Sequence, residues 1–516
     1  MEKQWLRVVF RQRLLIMILI LIQFLFFLLV IAGTHLIFRY LNFFFQGISI
    51  VVCIYVLNKQ MKSAYKLIWI FLILLFPIFG GIVYVFLHTQ FTSKKLRKHV
   101  SEANLYYRPY FSPAGNALSE LSNEHKECLP QVTYLQNYAG YPVFRNTETL
   151  FFNSGESFFE RVLVELEKAE KYIFLEFFIL RQGEMLDPIM EILERKAQEG
   201  LDIRIIYDDL GCFTSLPSDF EESLNGMGIK CMVFNPFKPI LSSLHNNRDH
   251  RKIISIDGKC AFTGGINLAD EYINAQERFG HWKDAAIMIN GTAAWSLTLT
   301  FIEMWNLGRK NKDEALLFYP WKNLDGSPAA SPVKSDGYVQ PYADNPFDTE
   351  NVCEHVYIQI INNAKEYLYI NTPYLVVDND LLTALCLSGK SGVDVRIITP
   401  FRWDKKTVAI VSRSYYRQLI NAGVKIYEYT RGFNHSKTFV SDDSTATVGT
   451  SNLDFRSLYL HFECGVWMYK NSSVAKVKED FLNTLKVCRQ ITLRDCSRNA
   501  FQRIIQEVLR IFAPLM

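Results

Sequence analysis

The stretch Gly200-Leu201-Asp202-Ile203-Arg204-Ile205-Ile206 returns as Gly392-Val393-Asp394-Val395-Arg396-Ile397-Ile398. Likewise Ala169-Glu170-Lys171-Tyr172-Ile173 answers Ala364-Lys365-Glu366-Tyr367-Leu368, and Gly228-Ile229-Lys230 answers Gly423-Val424-Lys425, so one unit occurs twice at a spacing of 185 to 195 residues. That distance is far beyond solenoid periods of about 20–50 residues. In the first copy Phe158, Phe159, Val162, Leu163 and Leu166 have helical spacing, and a strand-like run Tyr172 to Leu180, a helix near Leu186 to Ala197 and a strand Leu201 to Tyr207 follow. In the second, a helical stretch Val352 to Ala364 leads to Tyr367 to Asn371, a helix near Leu381 and a strand Val393 to Thr399. The strands are mostly apolar on both faces, as in a sheet covered by helices on each side. The class is α/β: two pseudo-symmetric sandwich halves, 146–307 and 351–516, joined by a linker at 308–350. Asp325-Gly326-Ser327-Pro328, Ser331-Pro332 and Asp336-Gly337 make that linker turn-rich. Duplicated units commonly pack about a two-fold axis, so polar residues that recur in both copies are candidates for one shared site.

Such residues keep strict spacing. His250-Arg251-Lys252 is followed by Asp257, Gly264 and Asn267, and His435-Ser436-Lys437 by Asp442, Gly449 and Asn452, at offsets of +2, +7, +14 and +17 from each histidine. One such match is weak; two at equivalent points of a duplication are not coincidence. Alternate residues of a strand point to one face, so His250 is presented with Lys252 and His435 with Lys437. Two imidazoles, two ammonium groups and two amides suit a phosphodiester. Lys252 and Lys437 neutralise the non-bridging oxygens, and Asn267 and Asn452 donate hydrogen bonds to them. Gly264 and Gly449 permit close backbone approach. One histidine attacks phosphorus while the other protonates the leaving alcohol, and the roles reverse when a second alcohol arrives. No metal or other cofactor is required. The catalytic candidates are His250, Lys252, Asp257, His435, Lys437 and Asp442, with the two aspartates read as tying the loop after the strand rather than as proton carriers.

The N-terminal residues differ in kind. Leu14 to Gly33 contains one polar side chain, Gln23, and Leu67 to Leu87 contains no charge, so each is long enough to cross a hydrocarbon core of about 30 Å as a helix. A third run, Leu41 to Leu57, is shorter and carries Asn42, Gln46 and Ser49. Three spans are favoured over two. With three, one side holds Lys3, Arg7, Arg11, Arg13, Lys59, Lys62 and Lys66 and the other Arg39, Lys94, Lys95, Arg97 and Lys98, a balance too even to orient the chain. The 56 basic against 52 acidic residues are too evenly matched for a nucleic-acid binder. Ten cysteines without a C-x-x-C pair argue against a zinc site or a disulfide framework.

The paired motifs, together with Thr447-Val448-Gly449-Thr450-Ser451-Asn452-Leu453-Asp454-Phe455-Arg456-Ser457-Leu458, resemble the phospholipase D superfamily. Within it the chain is similar to bacterial cardiolipin synthases, from Phe76-Pro77-Ile78-Phe79-Gly80-Gly81 to Ala513-Pro514-Leu515-Met516. Members commonly have two N-terminal spans, so the run Leu14 to Gly33 is a departure. The resemblance implies two phospholipase D-like repeats behind a transmembrane region (1–92) and a connecting segment (93–145), in a multi-pass protein of the bacterial cell membrane. It also implies the reaction: phosphatidyl transfer between two phosphatidylglycerol molecules through a phosphatidyl-histidine, giving cardiolipin and glycerol. It adds carboxylates that hold the histidines, here Asp284 and Glu463, each accepting an Nδ1 proton. By two-fold logic His250 pairs with Glu463 and His435 with Asp284, and the superfamily pattern assigns attack to His250 and proton donation to His435. The reading Gly449-Thr450 against Gly264-Gly265 alters no inferred donor.

The rival readings are a hydrolytic phospholipase D, a phosphatidylserine or other headgroup synthase, and a non-catalytic scaffold that binds anionic lipid. Degeneration of a motif is the expected mark of the scaffold, and both motifs are intact. Oligomeric state is left open. Glu176 reads as a paired core carboxylate, Asp208-Asp209 as a helix cap or loop, and His245, His281 and His461 as incidental because none has a lysine at +2. Phe501, Ile504, Ile505, Val508, Leu509 and Phe512 form one stripe, which fits a C-terminal amphipathic helix in the core or at a membrane surface equally well.

Overall fold

The computed structural model describes residues 36–76, 80–81, 84, 91–111, 117–236, 243–321, 333–497 and 499–516, with scattered positions between 17 and 32. It forms two compact units, one of residues 1–96, 237–246 and 510–516 and one of residues 97–236 and 247–509.

In the N-terminal unit Leu36–Asn58 and Ser63–Leu75 are helices, packed on each other through Cys53, Val56 and Ile73 with Trp69 and Tyr84 alongside. The expectation of two or three spans, and with it of a multi-pass protein, changes here. Among the described residues one helix is long and apolar enough to cross a membrane, Arg39–Asn58, which contains the run expected to be the weakest, Leu41 to Leu57. The run Leu67 to Leu87 does not continue as one helix: Ser63–Leu75 has 13 residues, about 20 Å, and ends at Phe76 because Pro77 disfavours helical backbone in the residue before it. Most of Leu14 to Gly33 lies outside the described residues.

The larger unit is the duplication. The first sheet has seven strands in the order Thr147–Phe152, Ala286–Gly291, Cys260–Gly264, Ile253–Ile256, Tyr172–Phe177, Asp202–Asp208, Lys230–Phe234. The second repeats that order as Tyr338–Asp344, Glu463–Tyr469, Thr445–Gly449, Thr438–Ser441, Tyr367–Asn371, Asp394–Pro400, Lys425–Tyr429, and adds Cys488–Ile491 at its far edge. The parallel pairs, Tyr172–Phe177 with Asp202–Asp208 and Tyr367–Asn371 with Asp394–Pro400, are joined by the crossover helices Leu186–Gln198 and Asn379–Lys390. Strands buried on both faces explain the unbroken apolar runs.

Three features differ from the sequence reading. Tyr338–Asp344, inside the expected linker, is an edge strand paired antiparallel with Glu463–Tyr469, and Pro341 is tolerated there because an edge strand can forgo one ladder donor. The expected connecting segment holds the helix Phe91–Tyr107 and shorter helices, anchored by the Tyr107 hydroxyl on the Asp313 carbonyl and by Trp295 Nε1 on the Tyr110 carbonyl, both at 2.8 Å. The stripe at the C terminus is the helix Ala500–Ile511, and none of its residues is buried, so it is not a core helix. Its successor residues Phe512, Ala513 and Pro514 pack within the N-terminal unit, Phe512 edge-on to Phe71.

The halves interlock. The helix Ala294–Trp305 follows the last strand of the first repeat and packs against Tyr338–Asp344 of the second; Ser472–Leu485 follows the last strand of the second and packs against Thr147–Phe152 of the first. At that second contact Thr149 Oγ1 meets Ser473 Oγ at 2.6 Å.

Candidate active site

Each repeat completes the other's histidine. The segment before His250 forms a parallel bridge, Asp249 to Phe462, with the segment before Glu463, and the His250 N–H donates to the Phe462 carbonyl at 3.0 Å. In the mirrored arrangement Gly432–Asn434 pairs parallel with His281–Lys283, and the His435 N–H donates to the Lys283 carbonyl at 2.7 Å. These ladders put each histidine one residue past a cross-repeat strand pair and beside the carboxylate one residue past its partner strand. His250 Nδ1 lies 2.9 Å from Glu463 Oε1, and His435 Nδ1 lies 2.6 Å from Asp284 Oδ2. Both carboxylates are fully buried. An Nδ1–H donated to a carboxylate leaves Nε2 as the free lone pair.

The lysines sit under the same roof. Lys252 Nζ donates to the His250 carbonyl and Lys437 Nζ to the His435 carbonyl, each at 2.5 Å, and Lys437 Nζ is 2.8 Å from His435 Nδ1. Burial pushes Lys252 down to about 8, against the pull of Glu463, and Lys437 down to about 7, against Asp284 and with Lys252 adding to the fall. Burial also lowers His250 to about 3 and His435 to about 4, opposed by Glu463 and Asp284 and assisted by the neighbouring lysines. For the carboxylates burial acts upward but is outweighed. His250 and Lys252 hold Glu463 below its ordinary range, and Lys437 and His435 do the same for Asp284. At neutral pH the site therefore holds two neutral imidazoles, two carboxylates and two buried lysines that retain much of their charge.

Other expected residues fall elsewhere. Asp257 accepts backbone N–H bonds from Glu170, Lys171 and Tyr172 at 2.8–2.9 Å, and Asp442 from Lys365, Glu366 and Tyr367 at 2.8–3.0 Å. Their oxygens hold the backbone at the head of the strands Tyr172–Phe177 and Tyr367–Asn371, in line with the reading of both as structural rather than proton-carrying. Asn267 is also engaged: its Oδ1 accepts from the Ile179 N–H and its Nδ2 donates to the Tyr272 hydroxyl at 2.7 Å. Asn452 Nδ2 donates to Asp454 at 3.1 Å. Each amide nitrogen carries a second N–H, so both asparagines can keep these protein partners and still have one donor for a phosphate. The glycines serve the strands instead: a Cβ on Gly264 would meet Ala286 Cα at 2.5 Å, and one on Gly449 the Cys464 carbonyl at 2.6 Å.

Thr450, Arg251 and His461 were missed or undervalued. Thr450 donates its hydroxyl to Glu463, whereas the equivalent Gly265 leaves no room for a side chain, since a Cβ there would lie 2.0 Å from Asp284 Oδ1. The Gly-Thr variation therefore does add a donor, on the Glu463 side alone. Arg251, between His250 and Lys252 in the segment just before the strand Ile253–Ile256, donates to the Glu463 and Asp344 carbonyls at 3.2 Å and lies 3.7 Å from buried Glu176. In the second repeat the positions of Glu176, Asp249 and Arg251 are taken by Asn371, Asn434 and Ser436, with Asn434 Nδ2 donating to Asn371 Oδ1 at 3.0 Å. His461 packs its ring 5.5 Å from that of His250, with Nδ1 3.8 Å from Glu463, so it is part of the site and not incidental. Its counterpart by position is Trp282, 5.2 Å from the His435 ring. The signal was the offset from each carboxylate: both rings stand two residues before it. Asp208 does cap, accepting from the Leu210 and Gly211 N–H groups.

The chain matches the family model described as "Cardiolipin synthase, PLD-like domain" over residues 162–296 and 357–485, and the one described as "Phospholipase_D-nuclease N-terminal" over 47–87. It is 34% identical over 462 residues to a cardiolipin synthase of Geobacillus kaustophilus, covering 89% of this chain and 90% of the relative. An uncharacterized protein of Streptococcus mutans is 42% identical over 464 residues, covering 90% and 99%. Among solved structures, the phosphatidylserine synthase of Haemophilus influenzae superposes with a TM-score of 0.55 at 16% identity, covering 74% of this chain and 96% of that one, a likeness of fold. Two repeats of one α/β unit, each supplying a histidine to the other's carboxylate, and these matches along most of its length place the chain in the cardiolipin synthase family of phospholipase D-like proteins.

Proposed function

We propose that the protein is a membrane phosphatidyltransferase that joins two phosphatidylglycerol molecules into cardiolipin and releases glycerol. The observation that carries this reading is the crossed pairing of His250 with Glu463 and His435 with Asp284, which prepares two imidazoles, one to attack and one to move a proton, around a lysine pair.

His250 Nε2 attacks phosphorus of the first lipid, and the P–O bond to the glycerol headgroup breaks. The proton that glycerol needs comes from His435. Both histidines are neutral in the free site, and an arriving phosphodiester anion favours the imidazolium form of one of them, so substrate itself helps to charge the acid. The headgroup hydroxyl of the second phosphatidylglycerol then gives its proton back to His435 and attacks phosphorus, and the P–N bond breaks. One phosphodiester replaces another, so the exchange calls for no nucleotide. Lys252 and Lys437 balance the phosphoryl charge that a metal would otherwise carry. An apolar helix of span length keeps the chain where its lipids are.

Purified protein incubated with phosphatidylglycerol should yield cardiolipin and free glycerol in equal amounts, unaffected by chelator. Phosphatidic acid in place of cardiolipin would replace this reading with a hydrolase, and a requirement for a divalent ion would remove the role given to the lysines.

A further inference from the structure

His461 has no task in the transfer just described. Its side chain is 11% exposed, its ring lies against that of His250, and neither ring nitrogen has a hydrogen-bond partner among the described residues. Buried polar atoms are normally paired, and one left alone is a cost that a ligand removes. The 3.8 Å from Nδ1 to Glu463 Oε1 is beyond hydrogen-bond reach. One ring nitrogen of His250, one of His461 and one carboxylate oxygen of Glu463 all lie within 4.8 Å of one another.

We propose that His250, His461 and Glu463 form a binding site for a divalent transition-metal ion of the zinc type, and that the ion blocks the phosphoryl-transfer site rather than serving it. Two imidazoles and one carboxylate, with further positions left to water, are the donor set of three-ligand zinc sites. Bonds of about 2.0–2.2 Å put such donors about 3.3 Å apart, so the three side chains close on the ion by roughly an ångström, a movement within reach of side-chain rotation. Nitrogen donors select zinc, copper, nickel or cobalt over magnesium and calcium, which prefer all-oxygen shells. Burial lowers both His250 and His461 and Glu463 is held below its ordinary range, which favours the deprotonated donors a metal needs; binding through His250 Nδ1 moves that ring's proton to Nε2, and the Lys252 ammonium beside them opposes the ion and limits its affinity.

The duplication supplies an internal control. On the other side of the site the place of His461 belongs to Trp282, an indole with a donor N–H and no ligand lone pair, so His435 and Asp284 lack a third ligand. An ion at His250 takes up the imidazole and the carboxylate that attack on phosphorus requires, and transfer stops.

Cobalt(II) reports the site without any lipid. Titrated into the full chain in detergent, it should give visible absorption of a low-coordinate site at one ion per chain, displaced by zinc. That signal should vanish in His461→Phe and His461→Asn and persist in His435→Gln. Absorption unchanged in both His461 variants, or lost equally in His435→Gln, overturns the proposal. Zinc should also inhibit cardiolipin formation, at tenfold or more higher concentration in His461→Asn than in the original protein, and equal sensitivity of the two proteins counts against the site. Because the cobalt arm needs no substrate, it decides the metal site even if the chain proves to transfer a different headgroup.

Discussion

Asp284 and Glu463 do one task with unequal support. Glu463 accepts from His250 and Thr450 and has Arg251 gripping its backbone, while Asp284 accepts from His435 and the Ala285 N–H. Replacing either by its amide keeps the shape but removes the charge that fixes the Nδ1 proton. Glu463→Gln and Asp284→Asn should each lower kcat on the order of 10²–10⁴-fold with little change in KM. An effect confined to KM would show that the carboxylate binds lipid instead. At this scale the sequence was most legible where the repeats agree. Equal offsets from His250 and His435 found the lysines that lie against each histidine and the aspartates that hold equivalent turns, because a duplication samples the same local geometry twice; the carboxylates, at unequal offsets, came from the resemblance. It was least legible where the repeats differ, as at Thr450 against Gly265, Arg251 against Ser436 and His461 against Trp282, since a residue present once leaves no pattern to detect. The asparagines show a further limit: spacing gives a residue's place, but its hydrogen-bond partners come from other elements, here Ile179, Tyr272 and Asp454.

Among the elements, the turns at Asp257 and Asp442 separate architecture from chemistry. Both aspartates have left-handed backbone, φ of +51°, and each gathers three backbone N–H groups at the head of a central strand. Asp442→Ala should destabilise the fold by roughly 2–4 kcal/mol through those unpaired donors. The protein that remains folded should keep its kcat, measured per active site by burst titration. A collapse of kcat at full stability would return Asp442 to the catalytic set. Regular elements were largely readable: Tyr367–Asn371 coincides with its expected run, and Leu186–Gln198 and Asp202–Asp208 lie within one residue of theirs at each end. Edge strands were not. Tyr338–Asp344 hides between turn residues and contains a proline, and its partner, Glu463–Tyr469, is more than 100 residues away in the chain. The C-terminal stripe was ambiguous because spacing tells which residues share a face and not what covers it.

In the whole molecule the two repeats make one site, and its buried ionisable groups tie stability to pH. The lowered histidines, at about 3 and 4 when folded, return to about 6.5 on unfolding. Between roughly pH 6.5 and 4 the unfolded chain therefore binds more protons, and stability falls as pH falls through that window. The melting temperature should drop from pH 7 to pH 5, and a protein carrying both His250→Gln and His435→Gln should show a shallower drop; identical slopes would mean that neither imidazole is held neutral by the fold. The two-fold arrangement itself followed from the repeat, but the crossing of partners, each histidine held by the other repeat's carboxylate, makes the halves interdependent, and the proposed transfer gives them separable chemical roles. Labelling tests that division most directly. His435→Ala protein is offered a phosphatidyl ester whose leaving group departs without a proton, and the trapped adduct is mapped by mass spectrometry. The account predicts one phosphatidyl group per chain on His250, and no label on a His250→Ala protein treated alike. Label on His435 of the His250→Ala protein, with none on His250 in its counterpart, would contradict it.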